Sequence, residues 1–557
     1  MSIIEKSTNP QWGRVLICGG TDWPKLGRKE RGGAAKPENA EQTHPDLLEP
    51  YILRSLSNIK ATSIHASCAG CHFVVLDIDG VAWLFGRNGF SCLGVSSRDN
   101  EYVSENAPLR VAPQDLGASH DTRWVHAACG RNHTLLVGSD GGVWSAGANS
   151  YGQCGHPVCP EVGGFKMVNG ISTRDGDKEK VVQAAVGISF SIVLTESGKV
   201  FSFGSAEKGQ LGNGTTGERI TTGNKTAFDI EPSPIYIKEL DGKHIVQIAS
   251  GQQHSLAVDS SGVVYVWGYN GYCRLGLGNQ VDALKPKVVP QFAGPSEATM
   301  GAQVIAGPSN SVVIDKQGMY WMAGKWKNSG EGSSGSPYSS FRIMQEIMGC
   351  KISLARCGGV THWALTPDED DSIMTVAWGQ NAANGELGLG PDEPKSATKP
   401  TKSVPLTGIE VFDIAAGQNT TLFIAHPNDK FADMPRHPVD LDPPQACIVC
   451  RKDDGDPLEC DKCDSTYHLA CLTPPLNAVP DGEWFCVECE NDPGAGVGVY
   501  KALTLPKTKA KIGKKVPPAG KKDKEDSPRF ENDTIGTGEK RKALPKGKAG
   551  GAKKKRQ

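Results

Sequence analysis

Between Cys447 and Cys489, eight residues able to bind a soft divalent metal fall into four pairs. The pairs are Cys447 with Cys450, Cys460 with Cys463, His468 with Cys471, and Cys486 with Cys489, each separated by two residues. Two intervening residues let a tight turn aim both side chains at one ion, and thiolate and imidazole are the ligands Zn²⁺ takes in closed tetrahedral sites. Eight ligands predict two zinc ions. A segment of about 45 residues is too small to fold on a hydrophobic core alone, and its evident core residues are Leu458, Leu469, Leu472, Leu476, Val479, Trp484 and Phe485. Metal binding supplies the difference, on the order of 10–16 kcal/mol per structural zinc. Spacing alone leaves open which pairs share an ion.

The ligand order is four Cys, one His, three Cys, with Trp484 two residues before the seventh ligand. It resembles the plant homeodomain (PHD) finger; a RING finger would put its His at the fourth ligand, which here is Cys463. The resemblance implies a cross-braced arrangement, with Cys447, Cys450, His468 and Cys471 on one ion and Cys460, Cys463, Cys486 and Cys489 on the other. It also implies binding of the histone H3 amino terminus as a strand added to a sheet edge. Carried over position by position, Leu458 and Glu459 pair with the peptide, and Asp461 and Asp464 take its first arginine. The backbone around Pro480 and Gly482 receives the α-amine. Charge agrees with a basic ligand: residues 444–490 hold ten Asp or Glu against Arg451, Lys452 and Lys462, a net of −7, which repels nucleic acid and attracts a basic peptide. Trimethyl-lysine capture needs an aromatic cage. The position two before the His ligand is Thr466 and the residue before the first ligand is Ala446, so unmodified lysine, or indifference to methylation, is expected.

The sequence ahead of the finger repeats itself. The clearest copy, IVQIASGQQHSLAVDSSGVVYVWGYNGYCRLG from Ile245, holds alternating apolar runs broken by Gly-bounded turns, the pattern of half-buried antiparallel strands. Related copies begin near Ile64, Val125, Val181, Gln303 and Ser353. A seventh is split: VFDIAAGQNTTLFIA from Val411 has only a first half, and GRVLICGGTDWPKLG at 13–27 aligns without a gap on 262–276 as the missing second half. A ring of repeats closes best when one unit is built from both termini. The expected fold is all-β, a closed seven-bladed β-propeller. Equivalent positions His72, His133, Phe190, His254, Asn310, His362 and Thr420 lie 52 to 64 residues apart; their variety argues against a metal site and for a repeated local hydrogen bond. Cys68 and Cys71 have metal-like spacing but no second pair.

The motif Gly-x-x-His, an apolar strand, an aromatic-x-x-Gly and a final Gly-x-Leu-Gly resembles the regulator-of-chromosome-condensation repeat family over roughly residues 12–427. LICGGTDWPKLGRKE, NGYCRLGLGNQVDALKPKVV and NGELGLGPDEPKSATKP are similar to its second, telophase-disk branch. That resemblance implies chromatin association and, in several members, contact with small GTPases; a guanine-nucleotide exchange factor or GTPase-docking platform is the alternative to a histone-reading adaptor. Two insertions, at 28–63 and 215–244, break the period, and the second contains a stretch able to pair as an extra hairpin.

Residues 1–11 are expected to be disordered, 12–427 to form the propeller, 428–443 a Pro- and Asp-rich semi-rigid linker, 444–490 the finger and 491–557 a disordered tail. From 501 to 557 there are 19 Lys or Arg against 6 Asp or Glu, a net of +13 on a chain whose total is −2. Within the tail, Lys540, Arg541 and Lys542 precede Lys553, Lys554, Lys555 and Arg556 by about ten residues. Two basic clusters at that distance resemble a bipartite nuclear-import signal and predict an import receptor as partner and the nucleus as location. The same charges are expected to hold nucleic-acid phosphates nonspecifically, in a salt-dependent way. No apolar run approaches the roughly 18 residues of a membrane span, MSIIEKSTNP does not read as a secretory signal, and 17 Cys suit a reducing compartment. No phosphate loop and no nucleophile context appears, so an enzyme is not expected.

Overall fold

The computed structural model describes residues 11–27, 44–172, 178–369, 372–455 and 457–490. The first ten residues and the tail with both basic clusters lie outside them. Seven antiparallel sheets follow one another around a ring. Blades two, four, five and six each use four consecutive strands, as in Ile245–Ser250, His254–Asp259, Val264–Gly268 and Ala283–Val288. In blades one to five the second strand is buried along its whole length, and in blades six and seven all but its last residue is, because blades pack on both of its faces; such strands read as continuous apolar runs and not as alternation.

The seventh blade joins the two ends of the repeat region. Glu410–Ala416 and Thr420–His426 come from one side, and Arg14–Gly20 pairs with Thr420–His426 from Arg14↔Ala425 to Gly19↔Thr420. Asp46–Leu53, inside the first insertion, pairs next. The first insertion therefore supplies a blade's fourth strand. The second does so too: Ile230–Tyr236 completes blade three, preceded by the hairpin Arg219–Thr221 with Lys225–Ala227. These outer strands escape sequence reading because solvent lies on one side and their text, such as IEPSPIY, is polar and proline-bearing.

The segment 428–443, a spacer by composition, is built into the seventh blade. Asn428 accepts from Lys430 N and donates to Gly408 O, Phe431 is fully buried, and Arg436–His437 adds a fifth, parallel strand beside Ile52 and Leu53. His437 reaches the buried Glu105 carboxylate at 2.8 Å, and Trp23 donates to the same group. Two apolar anchors, Phe431 and Met434, hold this segment down, which its Pro and Asp content conceals.

Two hydrogen-bond belts tie blade to blade. At the channel, inner-strand side chains reach the next inner strand: Gln183 accepts from Ile248 N, Gln247 accepts from Val304 N, Gln303 donates to Ser353 O, and Asp413 accepts from Ile64 N. Arg356 closes the sixth step on Asp413 and Ile414 O. In the second belt, His72 Nε2 meets Thr134 Oγ1, His133 meets Ser191, and His254 meets Ser311, at 2.9 to 3.1 Å. Each hydroxyl donates to a carbonyl, of Cys92, Gln153 or Arg274. A hydroxyl has one proton, so each imidazole is the donor at Nε2.

Burial holds these rings neutral, pulling His72 to about 4, His133 to about 3 and His254 well below its ordinary value; His362, in the second strand of blade six, falls to about 3 in the same way. An unfolded His binds a proton below about 6.5, so between that pH and about 4 the unfolded state holds more protons and stability is lost as pH falls, about 1.4 kcal/mol per pH unit for each His. Phe190 occupies the equivalent place in blade three. Denaturant melts from pH 7.5 to 5 should show the decline, and His133→Phe should lessen its slope by about one histidine's share.

Candidate metal centre

The eight ligands gather into two tetrads: Cys447, Cys450, His468 and Cys471, and Cys460, Cys463, Cys486 and Cys489, with the ligand atoms of each within 4.8 Å of one another. This is the cross-braced pairing, and these are the metal-binding clusters found among the described residues. Tight turns make the knuckles. Arg451 N donates to Cys447 O and Asp464 N to Cys460 O, and both residues, each directly after a second cysteine, take positive φ, +65° and +58°. Backbone N–H groups of His468 and Cys486 point at the sulfurs of Cys447 and Cys460, at 3.3 and 3.2 Å. Cys463 and Cys486 sulfurs lie 3.7 Å apart, close to the roughly 3.8 Å edge of a tetrahedron with 2.3 Å Zn–S bonds. The donor set therefore fits two zinc ions.

In the first tetrad Nδ1 of His468 faces Cys450 at 3.3 Å, and Nε2 lies 3.7 Å from Asp454. Nδ1, on the side of the cysteines, is the nitrogen placed to ligate. In the second tetrad all four cysteines are buried. Hydrogen bonds from Cys460, Cys486 and Cys489, with Arg14 adding to them, hold the Cys463 thiol well below its ordinary range. The same contacts push Cys486 and Cys489 up, so the remaining protons are ones that a metal would displace.

The finger's core is continuous with the seventh blade. Ile448, Cys460, Cys463, Tyr467, Cys486 and Cys489 pack in one cluster with Leu16, Phe423, Phe431 and Met434. Ile448 and Tyr467 were not evident in the sequence as core, whereas Val479, expected inside, is 58% exposed. Both knuckle residues with positive φ contact the propeller: Arg451 reaches Asp79 and Asn58 O, and Asp464 reaches Arg54 at 2.7 Å and Arg436 at 3.3 Å. Ser465 donates to Ser57 O, and Arg436 also donates to the carbonyls of Asp461 and Lys462.

This docking separates the residues expected to meet a peptide. Leu458–Glu459 pairs with Thr466–Tyr467 in a two-stranded sheet, and no other strand lies along its far edge among the described residues. Glu459, Asp461 and Gly482 are exposed and Pro480 partly so. Asp461 also accepts from Trp484 N at 2.7 Å. Asp464 is the correction: expected to take a ligand arginine, it is 7% exposed and bound to two arginines of this chain. Thr466 is buried, its hydroxyl on Pro444 O and Ala446 O, so no ring stands where a methyl-lysine cage needs one.

Comparison with known proteins agrees with both parts. The family model described as RCC1-like domain matches residues 13–423, and the PHD-finger model matches 447–489. "Protein RCC2 homolog" of Danio rerio is 30% identical over 426 residues, covering 74% of this chain and 80% of that protein. "Protein RCC2" of Homo sapiens is 30% identical over 430 residues, covering 74% and 76%. Among solved structures, human WBSCR16 superposes with a TM-score of 0.57 at 24% identity, covering 74% of this chain and 98% of that one. Yeast RCC1 (Prp20) gives 0.57 at 19%, covering 74% and 89%. A propeller closed by its own N-terminal strand, matched along its whole circumference, makes this chain a member of the RCC1-like domain family that carries a PHD finger.

Proposed function

We propose that this protein is a non-enzymatic, nuclear chromatin adaptor whose finger takes the histone H3 amino terminus along the outer edge of Leu458–Glu459. The observation that carries the reading is an edge strand left open on an acidic finger, with Glu459 and Asp461 exposed beside it. An extended basic peptide suits such an edge: backbone bonds supply affinity and flanking carboxylates supply sign. Pro480 and Gly482 are proposed to receive its α-amine. Import through the clusters at Lys540 and Lys553, and nonspecific phosphate contact by the same tail, complete the proposal.

A second reading, docking of a small GTPase on the propeller, has one observation in its favour. Arg87, Phe90, Arg131, Asn132, Tyr151 and Gln153 line a cleft of about 490 Å³ between the first three blades. Phe90 and Tyr151 are 49% and 46% exposed, and exposed aromatics beside arginines are what protein interfaces use as anchors. Prp20p, of the same fold, is described by its binding properties to Gsp1p and histones, so both partner classes belong in the test.

Titration of the full chain with H3 amino-terminal peptides should give binding that changes less than twofold with lysine methylation. Glu459→Lys should weaken it at least tenfold. Asp464→Asn should leave affinity nearly unchanged while lowering stability by about 3 kcal/mol, the cost of stranding buried charge. No binding of any H3 peptide, together with accelerated nucleotide release from a GTPase that Phe90→Ser abolishes, would replace the first reading with the second. The purified protein should also carry two zinc ions by elemental analysis; fewer than two would remove the finger from the account.

A further inference from the structure

The cleft beside Phe90 has a neighbour. A second cavity, of about 640 Å³, is lined by Ser97, Arg98, Pro160 and Glu161, and it shares Arg87, Phe90 and Asn132 with the first. The Phe90 ring is therefore a ridge between two hollows. Its backbone is strained: Phe90 and Ser91 both take left-handed conformations, at φ +56° and +61°. The aligned turns of blades two and three need one left-handed residue and use Gly152 and Gly209 for it, because that conformation brings an L side chain's Cβ too close to the following carbonyl oxygen. Strain of this kind persists where the surrounding structure enforces it, and it gathers at binding sites. Blade four repeats the strained pair at Tyr272 and Cys273, but there Lys325 sits over the Tyr272 ring at 5.3 Å. Phe90 is 49% exposed, and no ring or cation packs on it among the described residues. Blade four's aromatic is answered within the chain, and blade one's is not.

Charge decides the occupant. The first hollow carries Arg87 and Arg131 with Asn132 and Ser150, and no carboxylate lines it. The second carries the exposed Arg98, and its one carboxylate, Glu161, accepts from Ser97. The repeat does not require these cations: Arg87 stands where blade two has Ala148, and Arg131 where blade three has Ile188. We propose that this double hollow binds an extended acidic segment of a partner protein, with two carboxylate side chains straddling the Phe90 ring, one on Arg131 and one on Arg98. Side chains two residues apart on one face of an extended strand stand roughly 7 Å apart, a span that one aromatic ring fills. Guanidinium groups suit carboxylates, and an exposed aromatic between them supplies the apolar anchor. Arg87, whose Nη1 donates to Leu26 O at 3.4 Å, stands at the ridge. Acid selection by this cleft holds whether or not a GTPase docks there.

The test uses the full chain and a fluorescein-labelled peptide of alternating Glu and Ala, at about 0.15 M salt, where charges more than roughly 8 Å apart are screened. The peptide should bind, and its counterpart of alternating Gln and Ala at least tenfold more weakly. Phe90→Gly, which also relieves the left-handed strain, and Arg131→Glu should each weaken binding at least tenfold without lowering the melting temperature. Glu459→Lys, on the finger, should leave it within twofold. The tail also carries positive charge, so hydrogen exchange on the unsubstituted protein locates the peptide, which should protect residues 86–94 and 130–132 at least threefold. Binding unchanged in both cleft variants, or protection absent from those loops, assigns the peptide to the tail and overturns the proposal. So does a peptide that fails to bind, or a cleft that takes a single-stranded oligonucleotide or a phosphoserine peptide and not the Glu peptide.

Discussion

Everything in this molecule rests on six residue pairs between Arg14–Gly20 and Thr420–His426. Those pairs join parts of the chain some 400 residues apart in sequence, and loop-closure entropy sets their cost. Without them the seventh blade would hold two strands and expose both edges. The ring belts depend on the same closure, because each side chain that reaches the next blade finds its partner only if the blades are held in register. Asp413, accepting from Ile64 N and from Arg356, spans the seam itself. Glu105 adds a second fastening there, gripped by Trp23 from the N-terminal side and His437 from the C-terminal side.

The finger is placed where that seam is. It packs on the sheet built from strands of both ends and extends the same core. A small zinc domain on a free spacer would add affinity only through effective concentration. A docked one has fixed orientation. Its contacts are mainly charged and come from the two knuckle turns, whose left-handed residues Arg451 and Asp464 are also what zinc coordination needs at those positions. Metal geometry and docking geometry are thus specified by the same two residues.

How much of this was legible in the sequence follows from the range of each interaction. Ligand pairs, repeat period, the split seventh copy and the histidine positions are local or recur several times, so their spacing shows in the text; the hydroxyls those histidines meet lie in the next blade, not within the blade as expected. Family resemblance to PHD fingers fixed the ligand pairing, which spacing left open, and the tetrads agree. Outer strands such as Asp46–Leu53 and Ile230–Tyr236 did not show, since one solvated face removes the apolar signal. The docking did not show at all. Arg54 and Asp464 are 410 residues apart, and nothing in a sequence marks which carboxylate of an acidic finger will turn inward.

That inward turn decides what kind of reader the finger can be. Asp461 and Asp464 sit on either side of Cys463, and the αL turn after the cysteine sends their carboxylates in different directions. Asp464 finds two arginines on a rigid surface, where the pairing is short and shielded from salt; a peptide arginine arriving from solution would have to displace both. The open edge of Leu458–Glu459 therefore keeps Glu459 and Asp461 as exposed anionic groups, and Asp464 is lost to it. The recognition proposed here would then lean on backbone pairing and on the α-amine end more than on a carboxylate fork. On the proposed reading, such a site would select for a free, extended amino terminus before the side chains that follow.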